Sequence, residues 1–168
     1  MRRLLGLLSF FIFFGWGGAA LAAEPLPLPK GPVILTISGQ IEQTNGSGLA
    51  RFDQEMLEAL GKASFVTGTE LSAKPQLFEG VALRAALERV GARGKVIRAS
   101  AMNDYEIPIP VEDLRYEPIL AMKVDGKVLM VRDKGPLWIV YPRDAHEVLH
   151  DVRYYARSVW QLNKLHVE

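Results

Sequence analysis

The sequence predicts an α+β fold, rich in β-strand and built as a single domain. Short segments of apolar and β-branched residues, bounded by glycine or proline, recur along most of the chain, as is typical of strands. Asp125-Gly126 joins two of these segments, which is the pattern of a type I′ hairpin. Helical spacing of apolar residues occurs in only two segments, 52–60 and 78–91, both in the first part of the chain.

The predicted elements before residue 92 follow from local patterns. A proline-rich lead-in over 23–32 is predicted to be extended, either exposed or lying along the body of the domain. The segment 33–38 (VILTIS) predicts a strand, and 64–70 (SFVTGTE) predicts a strand that opens into a loop. Each of the two helical segments ends at a glycine, which is a common helix terminator; their predicted buried positions are Phe52, Met56, Leu57 and Leu60, then Leu83, Leu87 and Val90.

Strands dominate the predictions after residue 92. The segments 95–101, 119–132 and 135–142 are apolar and predict strands, with the Asp-Gly hairpin inside the second. The segment 104–114 has strand spacing, and its prolines predict an edge strand. The segment 158–168 (SVWQLNKLHVE) predicts a final strand.

The first 22 residues predict a secretory signal peptide. A basic start is followed by a long apolar run that ends in small residues, with Ala20-Leu21-Ala22 as the cleavage signal. The remaining domain would then be exported, most simply to a bacterial periplasm. A retained membrane anchor is the alternative, because the run approaches the ~20 apolar residues that a membrane span needs.

Charge and cysteine content exclude some classes of protein. The chain has 20 basic and 19 acidic residues, and loss of the two arginines at the start would leave 18 against 19. This balance argues against nucleic-acid binding, which requires a concentrated basic surface. The sequence contains no cysteine, so an exported form would be stabilised by burial without disulfides.

A literal H-E-x-x-H motif lies at His146-Glu147-Val148-Leu149-His150. On one face of a helix, two such histidines bind zinc while the glutamate activates water, as in metalloproteases. No third ligand follows at the usual spacing. A zinc protease is therefore the weaker hypothesis, and a chance match in a solvated connector is its alternative.

Two further segments contain candidate binding residues. Asn103, Asp104 and Tyr105 lie between two predicted strands, where loops present polar groups to ligands; an ordinary turn is the alternative. In the second segment, residues 132–144, basic side chains are candidates to hold an anion and aromatic side chains to line its pocket. These are Arg132, Lys134, Arg143, Trp138 and Tyr141.

The remaining aromatic, glycine and serine residues do not indicate a further site. Tyr154, Tyr155 and Trp160 are expected to pack in the core. The sequence has no phosphate-binding glycine loop, and no serine stands on a recognisable nucleophile turn.

Four segments, taken in order, resemble the molybdopterin-binding domain of the sulfite oxidase family, and in particular its small exported single-domain members. They are FEGVALRAALERVGA, NDYEIPIPVEDL, ILAMKVDGKVLMVRDKGPLWIVYP and VWQLNKLHVE. The resemblance extends over 33–167 and implies the sulfite-oxidase fold. It also implies that the H-E-x-x-H segment is a connector.

In catalytic members of that family a cysteine thiolate binds the molybdenum. The resemblance puts the corresponding position near Thr67 to Thr69, and a hydroxyl is a poor substitute for a soft sulfur ligand. The family also tends to have an arginine after its Gly-x-Pro motif, where this chain has Leu137-Trp138 after Gly135-Pro136.

The favoured hypothesis is therefore a non-catalytic periplasmic binding module. It would bind a small anionic or pterin-like ligand, or a periplasmic or membrane partner protein, and no cofactor is expected. The candidate binding residues are Thr67, Thr69, Asn103, Asp104, Tyr105, Lys134 and Trp138. The alternative is an oxidoreductase in which molybdopterin holds the metal without a cysteine.

Overall fold

The computed structural model describes residues 24–168, so the predicted signal peptide or anchor over 1–22 lies outside the described residues. The described chain is a strand-rich α+β domain with two five-stranded sheets. The strands are β1 Leu35–Gly39, β2 Ala50–Phe52, β3 Ala63–Thr69, β4 Ser72–Ala82, β5 Val96–Ala101, β6 Glu106–Pro110, β7 Ile119–Val124, β8 Lys127–Val128, β9 Trp138–Val140 and β10 Leu162–Val167. The α-helices are α1 Gln54–Glu58, α2 Leu83–Arg89 and α3 Val152–Arg157. Turns of 3₁₀ helix occupy Val111–Tyr116, Val131–Asp133, Arg143–Ala145 and Glu147–His150.

The first sheet has the strand order β2-β1-β10-β5-β6. Strands β1 and β10 run parallel, and the other pairs are antiparallel. Alternate residues of β1 and β5 are buried, including Leu35, Ile37 and Ile97. This sheet therefore has one face directed at the core and one more open to solvent.

The second sheet has the order β3-β4-β7-β8, with β9 also paired to β7. Its central strand β7 is buried on both faces, since neighbouring residues belong to different apolar clusters. Leu120 packs in the large cluster shared with the first sheet, whereas Ala121 packs with Phe78 and Trp138 on the opposite face. This second, smaller cluster fixes β9, which carries part of the candidate site.

The segment 78–91, predicted to be a helix, begins as a strand. Residues 78–82 continue β4, and α2 begins only at Leu83. Gly80 explains the difference, because a Cβ there would lie 2.0 Å from the carbonyl oxygen of Leu120 on the paired strand β7. The helical part agrees with the prediction: Leu83, Leu87 and Val90 are buried.

The prediction of a loop after Thr69 is also wrong. The segment 72–77 is strand, so β3 and β4 form a hairpin whose turn is Glu70-Leu71. The first predicted helix is shorter than expected, because Phe52 ends β2 and Asp53 caps α1 by accepting a hydrogen bond from the backbone N–H of Met56.

The later strands are confirmed, with shorter ends. Strand β6 is an edge strand, and the residues after Pro110 form a 3₁₀ turn instead of continuing it. Asp125 and Gly126 both have positive φ (50° and 74°), as a type I′ turn requires. Helix α3 arises in a polar stretch where no element was predicted, and Asp151 caps it through the backbone N–H of Arg153.

The lead-in lies along the body of the domain. Leu26 is buried, and Oδ2 of Asp53 accepts hydrogen bonds from the backbone N–H groups of Lys30 (2.7 Å) and Gly31 (2.8 Å). These bonds hold the lead-in against α1. None of the helices within residues 24–168 has the length and apolar character needed to cross a bilayer.

Candidate functional site

A pocket opens between the β3–β4 turn and α3, with β9 beneath it. It is lined by Gly68, Thr69, Glu70, Leu71, Trp138, Val140, Tyr141, Arg143, Leu149, Tyr154, Tyr155, Ser158 and Trp160. Its empty volume, including the open mouth, is about 480 Å³, but the space that admits a water molecule is only about 30 Å³. The pocket is therefore a narrow slot between aromatic side chains.

Trp138 is fixed in the floor of this pocket. Its ring meets Phe78 edge-on, with centroids 5.4 Å apart, and its Nε1–H donates to the carbonyl oxygen of Ser158 over 3.3 Å. The ammonium group of Lys134 lies 4.6 Å from the centroid of the indole ring. Trp138 is buried, and these contacts hold its ring in place.

A buried ion pair supports the floor beside Trp138. The hydroxyl of Tyr141 donates to Oδ2 of Asp113 over 3.1 Å, and Nη1 of Arg157 donates to the same oxygen over 2.9 Å. Burial, together with the negative charge of Asp113, raises the pKa of Tyr141 far above its usual range. Burial likewise raises the pKa of Tyr154, whose ring packs against Tyr141 with centroids 5.5 Å apart. Both phenols are therefore neutral at physiological pH.

Arg143 brings a positive charge to the pocket. Its Nη2 lies 2.7 Å from Oε1 of Glu70, and this ion pair connects Arg143 to the β3–β4 turn. Its Nε is buried and finds no hydrogen-bond acceptor among residues 24–168. Buried hydrogen-bond donors almost always have an acceptor, so this N–H group is an exception among the residues that line the pocket.

The sequence-predicted binding residues do not form one cleft. Thr69 and Trp138 line the pocket. Thr67 is fully buried behind the pocket wall, where its Oγ1 accepts the backbone N–H of Asp144. Lys134 covers the Trp138 ring from a neighbouring depression and does not line the pocket.

The other three predicted residues form the turn between β5 and β6. Asn103 Oδ1 accepts the backbone N–H of Tyr105, and Asp104 adopts a left-handed conformation (φ 63°). The hydroxyl of Tyr105 donates to the carbonyl oxygen of Ala156 on α3, which joins this turn to the far side of the pocket wall. These residues are exposed and have local partners, as in an ordinary turn.

Several pocket residues were assigned to the core or not singled out in the sequence. Tyr154 is buried as expected, but Tyr155 and Trp160 are exposed at the mouth. Glu70 was not singled out, because its position was predicted to open into a loop. Tyr155 lies in a polar stretch, which was the signal that its side chain could be exposed.

The H-E-x-x-H motif does not form the helix that a zinc protease requires. His146 has an extended backbone (φ −141°, ψ 116°), and the 3₁₀ turn that contains His150 begins after it. Within residues 24–168, no group of three or more histidine, aspartate or glutamate side chains is placed to hold a metal ion. The zinc hypothesis is therefore wrong on geometry.

The pocket also does not fit the molybdenum cofactor that the family resemblance implies. The sequence has no cysteine to supply the thiolate ligand, and the hydroxyl of Thr67 is enclosed and already hydrogen-bonded. The aromatic side chains narrow the pocket to a slot, so a pterin would not enter it without movement of these side chains.

Comparison with known proteins shows a relationship at the level of the fold. No protein-family model matches the chain, and no curated protein matches it. Among solved structures it is similar to the sulfane dehydrogenase SoxCD from Paracoccus pantotrophus, with a TM-score of 0.60 and 17% sequence identity. The match covers 79% of this chain and 37% of the SoxCD chain, so this chain spans little more than a third of that neighbour. The two folds are related, and this agrees at the coarse level with the resemblance to the sulfite oxidase family.

Proposed function

We propose that this chain is an exported, non-catalytic binding module that holds an anionic group in the pocket above Trp138. The observation that carries the proposal is Arg143, which lines the pocket with one buried N–H unsatisfied within the described chain. A guanidinium presents its donors in a planar fork, and a carboxylate or a similar oxyanion matches that fork with two parallel hydrogen bonds.

Glu70 supports this assignment because it already occupies one arm of the fork. Its carboxylate contacts Nη2 of Arg143, but 41% of the Glu70 side chain is exposed, against 23% for Arg143. An exposed carboxylate on a turn gains little from such a pair. An incoming anion can therefore displace Glu70 at small cost and also satisfy the Nε of Arg143.

The walls favour a ligand with a flat apolar part. Trp138, Tyr155 and Trp160 line the pocket together with Tyr141 and Tyr154. Aromatic faces give large contact areas and hold planar groups by stacking. Because the slot is narrow, the apolar part has to be small or has to rest at the mouth.

Fluorescence titration tests this function directly. Two of the three tryptophans line the pocket, and the third, Trp16, lies in the predicted signal peptide. In a Trp16→Phe background the emission therefore reports on Trp138 and Trp160. The probes are benzoate, acetate and sulfate, with benzamide as the uncharged match of benzoate.

We expect benzoate to change the emission in a saturable manner and benzamide to bind at least ~10-fold more weakly. Arg143→Gln should weaken benzoate binding by a similar factor, Arg143→Lys should weaken it less, and Glu70→Gln should strengthen it by removing the competing carboxylate. Arg93→Gln is the matched control, because the Arg93 side chain is 72% exposed and outside the pocket. Equal binding of benzoate by the wild type and by a folded Arg143→Gln variant would reject the proposal.

A further inference from the structure

Large apolar side chains on the loops beside the pocket face solvent. They are named here the Trp160 surface: Tyr155, Trp160, Met102, Met130 and Val131. Each of them is between 41% and 54% exposed. Single exposed apolar residues are common in folded proteins, but a contiguous group marks an interaction site.

Gln161 joins the loops that carry this group. Its backbone N–H donates to the carbonyl oxygen of Lys134 over 2.8 Å, and its own carbonyl oxygen accepts the N–H of Met102 over 2.9 Å. Its side-chain amide donates to the carbonyl oxygen of Val131 over 2.7 Å. Three loops therefore meet at the residue that follows Trp160, and Trp160 itself lines the pocket.

The backbone of these loops is strained. Asp104, Lys134 and Gln161 all have positive φ (63°, 78° and 52°), one in each of the three loops. Aspartate tolerates this conformation well, but lysine and glutamine adopt it at a cost. Such strain persists where the surrounding structure fixes it, and it concentrates at binding sites.

The composition of the surface is that of a protein interface. Tyrosine, tryptophan, methionine and arginine are enriched in interface cores, and Arg132 lies directly beside Val131. The segment 127–134 contains three basic residues and one acidic residue, so this rim of the surface is positively charged. A partner with carboxylates around an apolar centre complements it.

We propose that the Trp160 surface docks a partner protein, which inserts a carboxylate, from an acidic side chain or a chain terminus, into the pocket and onto Arg143. This inference rests on the proposed function and specifies that the anion belongs to a partner protein. The pocket is narrow and its mouth is wide and apolar, so a small deep group attached to a larger apolar surface fits both parts.

Two other occupants are alternatives that the test below distinguishes. An anionic membrane would meet the same positive rim, although Asp104 and Asp133 also lie in the exposed loops of this surface. A second copy of the chain would bring one positive rim against another across a two-fold interface.

The test uses a phage-displayed library of random 12-residue peptides, selected against the folded full chain in the Trp16→Phe background. We expect the selected peptides to share an acidic residue or an exposed C-terminal carboxylate next to aromatic or aliphatic residues. Synthetic versions should lose at least ~10-fold in affinity with Trp160→Ala, with Met130→Ser and with Arg143→Gln. Arg93→Gln is the control, since that side chain is 72% exposed and far from the pocket lining. The thermal midpoint of each variant establishes that it is folded.

The outcomes separate this inference from the proposed function. Benzoate binding that depends on Arg143, without any acidic peptide consensus, would keep the function and overturn the docking surface. Peptides that depend on Trp160 but bind equally to Arg143→Gln would also overturn it. Sedimentation with vesicles of phosphatidylglycerol and phosphatidylcholine that requires Trp160 would mean that the surface binds a membrane. Dimerisation that Met130→Ser abolishes would mean that it binds a second copy of the chain. Either result would overturn the protein partner.

Discussion

Thr67 and Asp144 join the β3–β4 hairpin to the segment that follows β9. The backbone N–H of Asp144 donates to Oγ1 of Thr67 over 3.1 Å, while Oδ2 of Asp144 accepts the backbone N–H of neighbouring Gly68 over 2.7 Å. The pair places Glu70 and Arg143, which extend from these two segments, on the same side of the pocket. A residue predicted to touch a ligand therefore has a structural role next to the site.

Thr67→Val should destabilise the domain by about 1–2 kcal/mol, because the N–H of Asp144 loses its acceptor while the side-chain volume stays the same. Urea unfolding measures this change. Thr67→Ser keeps the hydroxyl and should recover much of the loss. Ser64→Ala, on an exposed position of the same strand, should change the stability by less than about 0.5 kcal/mol. Equal effects at both positions would mean that the hydrogen bond contributes nothing.

Asp113→Ala should destabilise the domain by about 3–5 kcal/mol, since it leaves the guanidinium of Arg157 without its partner in a largely buried site. The side chains of Asp113 and Arg157 are only 6% and 20% exposed. The control is Glu117→Ala, which breaks the exposed pair with Arg84 and should cost less than about 1 kcal/mol. Chemical unfolding compares the two, and a loss at Asp113 as small as that at Glu117 would contradict the expected role of burial.

The lead-in should make stability depend on pH through Asp53. The N–H groups of Gly31 and Met56, and then that of Lys30, lower the pKa of Asp53 below its ordinary value of 3.8. Because the folded form holds the ionised carboxylate, this contribution is present above the pKa of the unfolded chain and is lost as the pH falls through the folded pKa. Asp53→Asn should therefore be less stable than the wild type at neutral pH and approach it in acid.

Thermal unfolding at a series of pH values between neutral and strongly acidic measures this convergence. Proteolysis supplies a second readout, because cleavage of the lead-in should be faster in Asp53→Asn than in the wild type at neutral pH. Parallel pH profiles for the two proteins would show that Asp53 does not hold the lead-in in the way described.

Local pattern was sufficient to predict most strands and the Asp125-Gly126 turn, since alternation and turn chemistry are local properties. It failed at residues 78–82, where apolar spacing suits a helix but pairing with β7 requires strand. Gly80 was the local sign, because glycine lowers helix propensity and within a strand often marks a close approach of another backbone.

The candidate site was harder to predict because its parts come from distant segments. Trp138 and Arg143 were singled out from the sequence as candidate pocket residues, and both line the pocket. Their partners Glu70 and Trp160 were not, because each of them reaches the pocket only through tertiary packing of a turn or a loop. The spacing of residues along the sequence does not indicate such contacts.

The position of β10 also determines the order in which the domain can be completed. This strand comes from residues 162–167, yet it lies in the middle of the first sheet, between β1 and β5. During synthesis, β1 with β2 and β5 with β6 can each pair locally, but the two pairs share no edge until these last residues are available. Strand β1 is therefore separated from its parallel partner β10 by more than a hundred residues, and the first sheet cannot be completed before residues 162–167 have been synthesised.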